Sequence, residues 1–132
     1  MSTTSVDKQP EPYGELAIQT IAMPAHTNPR GEIFAGWVVS QMDLAAGIAA
    51  LDVAQGRVAT VAINGMQFLI AVHVGAIVSC YTEVTKIGRS SVHINVEVWI
   101  NEKKTFEPVK VTEGEFVFVA IDDSGRTRPM DK

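Results

Sequence analysis

The sequence predicts an α+β domain in which a curved antiparallel sheet encloses one long helix. Residues 36–52, GWVVSQMDLAAGIAALD, read as a single apolar helix. One strand-like stretch precedes it and four follow, each rich in Val, Ile, Thr and aromatic residues. A lone helix this apolar cannot rest on a flat sheet with its back to water. A strongly curved sheet, with self-association covering what remains, is the economical solution.

The elements follow in chain order. Residues 1–13, with Pro10 and Pro12, are expected to form a flexible tail ahead of one domain over residues 14–128, and residues 129–132 a short C-terminal tail. ELAIQTIAM (15–23) is the first strand, stopped by Pro24. PAHTNPRGEIFAG (24–36) is dense in turn formers and long for a tight turn, which marks it as a candidate functional loop. The helix runs from about Gly36 to Ala54 and is closed by Gln55 and Gly56, with the glycine suited to a C-terminal cap. Strands are then expected at 57–63, 76–87, 91–100 and 114–122, with a hairpin turn at Gly88 to Ser90 and a polar connection over 101–108. This is the hotdog arrangement.

Composition narrows the function. The chain has 132 residues, 46% hydrophobic and 20% charged, which fits one globular domain. A net charge of −4 gives no reason to expect nucleic acid. Gln41, Asp43 and Gly47 interrupt the best membrane candidate, and the N-terminus has neither the basic start nor the apolar core of a secretory signal. A single cysteine, Cys80, makes a reducing cytoplasm the default. The three histidines show no metal-ligand spacing. Residues 67–132 hold eight of the eleven basic side chains, so charge partners for an anionic ligand are expected there.

Asp43 is the anomaly of the helix, since a buried unpaired carboxylate is expensive. At helical spacing it shares a stripe with Gly36, Val39, Ser40, Ala46, Gly47 and Ala50. The bulky set Val38, Met42, Leu44, Ile48 and Leu51, with Trp37 nearby, is expected to face the core. Exposed helix faces carry Lys, Glu and Gln rather than Gly, Ala and Ser, so the small stripe reads as a covered interface or a site.

Three segments, MPAHTNPRGEIFAGWVVSQMD, GRVATVAINGMQF and KIGRSSVHINVEVWI, together resemble the YciA-type acyl-CoA thioesterases of the hotdog superfamily, across about residues 14–128. The resemblance implies hydrolysis of acyl-CoA to CoA and a carboxylic acid, with CoA entering as substrate and no cofactor. It also implies dimers with active sites between subunits, assembled as trimers of dimers. The catalytic carboxylate falls on Asp43, acting as general base or by direct attack. Backbone N–H groups of Ala35, Gly36 and Trp37 at the helix start suit an oxyanion. Asn28 and Glu32 stand ready to orient water or substrate, although Asn28 equally suits turn chemistry.

For the substrate, Arg89 with Ser90 and Ser91 suits phosphate oxygens. Lys86, Arg126 and Arg128 add charge. Asn64 and Met66 match family positions near the thioester and pantetheine, Met66 reads equally as core, and Trp37 at the helix start is also expected to contact substrate. His26, Ala35, Ala71 and Ala76 depart from the family's usual Asp, Gly, Pro and Asp. Two alternatives remain: a non-catalytic acyl-CoA sensor on the same fold, and a hotdog hydratase. For the latter, HTNPRG offers His26 and Gly31 where the acid and base belong.

Overall fold

The structure, a computed structural model, describes residues 11–130. Strand β1 (Glu15–Ile21) leads through a 3-10 turn at Pro24–His26 into helix α1 (Ala35–Ala54). Four strands follow: β2 (Val58–Phe68), β3 (Ile77–Ile87), β4 (Ser91–Asn101) and β5 (Pro108–Ala120). They form one antiparallel sheet in the order β1-β3-β4-β5-β2, and α1 packs against all five strands. The predicted wrapped helix is the observed architecture.

Alternation builds the inner wall. On β4, Val92, Ile94, Val96 and Val98 are fully buried towards the helix, while Ser91, His93 and Asn95 point the other way. Phe116 and Phe118 continue the wall on β5. Cys80 lies within this core, where burial pushes its thiol up to about 12. The outer face is polar: Glu97, although buried, accepts hydrogen bonds from the Trp99 indole at 2.8 Å and the Tyr13 N–H at 3.1 Å. Tyr13 is therefore tied to the sheet.

The helix face differs from expectation. Val38 and Met42 are buried, but so are Ala45, Ala46, Ala50 and Ala54. Leu44, Ile48 and Leu51, expected in the core, are 58%, 54% and 52% exposed. The alanines let the helix backbone settle close to the sheet, and the leucines and isoleucine are left on the outer side. By length and composition α1 would suffice to cross a membrane, yet its alanine face is spent on the sheet.

Other boundaries shift for physical reasons. β2 runs on to Phe68, carried past Gly65 (φ 66°) by an irregularity between Asn64 and Gln67. β5 begins at Pro108 because pairing with Asn101 extends the ladder into the expected connection. At the end of α1 the left-handed residue is Gln55 (φ 53°), not Gly56. Gly56 instead leaves room for the Arg128 guanidinium, which a Cβ there would push aside. Met130, placed in the expected tail, donates its N–H to the Arg89 carbonyl at 2.8 Å and packs against the core.

The close helix–sheet contact is testable. Ala46→Leu should lower stability by about 1–3 kcal/mol in denaturant titration, because the added volume must lift the helix from the sheet.

Candidate active site

Asp43 sits on the flank of α1 that faces β2, half-exposed. The Thr60 hydroxyl donates to its Oδ1 at 2.7 Å. Thr60 pairs with the inward Phe118, which turns its side chain towards the helix. The hydrogen bond fixes the carboxylate and leaves Oδ2 without a protein donor among the described residues. β2 is an edge strand with Val61 and Ile63 exposed, so this flank opens along an uncovered edge. Thr60 was missed in the sequence. The available signal was a polar residue on the inward side of RVATVAI, but its β-branch reads as an ordinary strand former.

A second set of groups gathers at the start of α1. Asn28 Oδ1 accepts the N–H groups of Arg30 at 2.9 Å and Glu32 at 3.0 Å, which is the turn chemistry weighed above. The same bonds orient the side chain and leave its NH₂ group without a protein partner among the described residues. Asn28 and Glu32 rim a groove of about 410 Å³, lined otherwise by apolar residues including Ile33, Val38, Phe68 and Val72. Ala35 and Ala71, two of the departures, lie in its wall.

Phe34 precedes the helix and offers no side-chain cap, and no acidic residue lies in the first turn. The Phe34 carbonyl takes the N–H groups of Trp37 and Val38, which removes Trp37 from the expected donors; those of Ala35 and Gly36 have no partner among the described residues. Open space lies above Gly36. The helix start therefore presents unneutralised donors beside the groove.

The residues expected to bind CoA do not form one cluster. Arg89 is exposed in the β3–β4 turn and lines a groove of about 540 Å³ with Val53, Ile87, Gly88 and Met130. Ser90 and Ser91 share that turn, where the Ser91 carbonyl accepts the Gly88 N–H at 2.8 Å. This groove lies at the C-terminal end of α1, roughly 15 Å along the axis from Asp43 at helical rise. Arg126 is exposed in a turn closed by Asp122, whose pKa is lowered by the Ser124 hydroxyl and the Arg126 N–H.

Four expected ligands point elsewhere. Arg128 donates to the Ala54 carbonyl at 3.0 Å and the Ile121 carbonyl at 3.2 Å, so it caps the helix and fastens the C-terminal segment. Met66 packs on the core. Asn64 lies on the outer face, bonded to Glu115 at 3.1 Å, because the bulge after Thr60 reverses which side chains point inward. Lys86 pairs in register with His93 on that same outer face. Glu115 there is held below the usual carboxylate range by hydrogen bonds from His93 and Asn64. The His93–Glu115 pair, 2.8 Å apart, is thus on the side of the sheet away from Asp43.

Comparison with known proteins adds the chemistry. Residues 30–107 match the family model of the thioesterase superfamily. The acyl-CoA thioester hydrolase YciA of Salmonella typhimurium is 47% identical over 131 residues, covering 96% of each chain. A hexameric thioesterase from Yersinia pestis superposes with a TM-score of 0.88 at 48% identity, over 92% of this chain and 99% of that one. A hexameric hotdog fold thioesterase of Campylobacter jejuni gives 0.83 at 35%, over 89% and 91%.

Proposed function

This chain belongs to the thioesterase superfamily, among the YciA-type acyl-CoA thioester hydrolases, and we propose that it hydrolyses acyl-CoA to CoA and a carboxylic acid with Asp43 as general base. The observation that carries this reading is the Thr60–Asp43 hydrogen bond, which secures one carboxylate oxygen and leaves the other for water. Oδ2 takes a proton as the water oxygen attacks the thioester carbon. Seven residues of helix put Gly36 about 10 Å from Asp43 within one chain, so the oxyanion is stabilised by the Ala35 and Gly36 N–H groups of a second copy, and the carbon–sulfur bond then breaks to release the CoA thiolate. The Asn28 NH₂ group, aimed by its turn, holds the carbonyl or the water. The apolar groove bounded by Val38, Phe68 and Val72 takes the acyl chain.

Assembly completes the site. Asp43 lies beside the free edge of β2, and pairing of that edge with a second copy would enclose it. The exposed Leu44, Ile48 and Leu51 stripe gives a further surface to cover. The working form is a trimer of dimers, as suggested by the hexameric relatives. Light scattering at micromolar concentration should give a hexamer, and a monomer would contradict the arrangement.

The alternatives are weaker. A hydratase needs an acid and a histidine together at the helix, but His26 stacks on Trp37 and His93 bonds Glu115 on the outer face. A sensor would have no use for an Asp43 held as a base, and release of free thiol from acyl-CoA separates the two.

Asp43→Asn should preserve fold and assembly while lowering kcat by roughly 10²–10⁴-fold, since the amide cannot accept the proton. Near-wild-type turnover in a correctly assembled variant would remove Asp43 from its role. Oxygen-18 from labelled water found on Asp43 after a single turnover would favour direct attack instead.

Arg89 is assigned to a CoA phosphate. Arg89→Ala should raise KM for acyl-CoA about ten- to a hundred-fold, the worth of a charge-assisted hydrogen bond. Hydrolysis of a pantetheine thioester lacking the nucleotide should hardly change. Equal loss on both substrates would show that Arg89 instead holds the turn.

A further inference from the structure

We propose that His26 is a positioning residue of this active site, pinning the Pro24–Phe34 loop to the first turn of α1 by stacking on Trp37. The inference rests on the hydrolase reading above, and nothing in that mechanism uses His26.

The two rings lie with centroids 4.7 Å apart and planes 17° from parallel, the only aromatic stack among the described residues. Trp37 lies in the first turn of α1, partly buried and packed against the core, so the stack holds the loop to an anchored part of the helix start. His26 is also the point where the loop's backbone is gathered. Its N–H donates to the Met23 carbonyl at 2.9 Å, and its carbonyl accepts the Phe34 N–H at 2.9 Å. Its Nδ1 accepts the Met23 N–H at 3.2 Å, which assigns the proton to Nε2 in the neutral ring. One residue thereby joins the end of the β1 segment, the residue preceding α1 and the helix itself.

The loop needs such a pin. α1 has no side-chain cap, and beyond the His26 contacts the loop is tied to the sheet side by the Ile33 N–H, which reaches the Val72 carbonyl at 3.2 Å. Between these two ties lie the Thr27–Ile33 bridge and the Asn28 turn. Asn28 itself makes no side-chain bond to a helix or strand, so its direction is inherited from the loop. Releasing His26 lets the turn keep its internal shape while it swings relative to Ala35, Gly36 and Asp43. A displacement of about 1 Å in a positioning group is enough to cost up to 10²-fold in rate. Groups that hold the nucleotide, at the far end of α1, are untouched.

The experiment uses the full-length assembled protein with hexanoyl-CoA as probe, reading thiol release, and hydrogen exchange across residues 27–34. His26→Ala should lower kcat about ten-fold with KM within about two-fold of wild type. It should also speed exchange in the loop. His26→Phe keeps a stacking ring and should recover kcat to within about three-fold, whereas His26→Asn keeps an acceptor without the ring and should not. Should His26→Ala fail to fold, His26→Leu carries the same comparison with Phe. Wild-type kcat in the Ala variant, equal impairment of Ala and Phe, or a raised KM at unchanged kcat would overturn the pin. If the wild type releases no thiol from any acyl-CoA, the hydrolase reading fails. The pin is then judged by exchange alone: unchanged rates in His26→Ala overturn it, and faster rates restored by Phe support it.

Discussion

The contact between the alanine face of α1 and the concave side of the sheet sets everything else in place. Ala45, Ala46, Ala50 and Ala54 carry only a methyl each, so the helix axis settles closer to the strands than leucines would permit. The volume they leave is filled from the sheet side by Ile94, Val96, Phe116 and Phe118. Bulk has been moved from the helix to the strands. The large apolar residues of the helix, displaced from that contact, then become the surface on which other copies can build.

The same seating gives α1 three distinct environments along one rod. Its start projects past the sheet with free N–H groups, its middle presents Asp43 to the β2 edge, and its end is fastened by Arg128. No strand of this sheet offers a comparable range, because successive strand side chains alternate between core and outer face. The Asp43 flank is neither fully packed nor wholly open, and it borders the free edge of β2.

Much of this was legible. The single apolar helix, the five strands and the turn at Gly88 followed from period and punctuation, and the hotdog wrap followed from counting elements. The helix face was not, because α1 is apolar around most of its circumference and period alone cannot say which side a sheet will prefer. β2 and β5 outran their sequence signals where neighbouring strands supplied pairing that Gly65, Lys110 and Glu113 do not advertise. Asp43 stood out as the one charge in mid-helix. Its partner Thr60 did not, since a threonine in a strand needs no explanation. Asn28 reads as turn former or substrate ligand, and the turn bonds occupy only its Oδ1. Asn64 and Lys86 lie on the outer face because bulges reverse the side to which later residues point, a feature that spacing alone does not show.

The sequestered sulfur of Cys80 has a bearing on turnover itself. A hydrolase of this kind liberates a thiol at every cycle, and in any oxidising moment that product can be present as a disulfide. Exchange with such a disulfide requires an attacking thiolate. Burial pushes the Cys80 thiol well above the usual range and leaves no atom of it exposed to solvent, so it offers neither the thiolate nor the access that exchange needs. In the folded protein the sulfur is shielded from exchange with its own leaving group, and an assay that titrates released thiol reads product rather than Cys80.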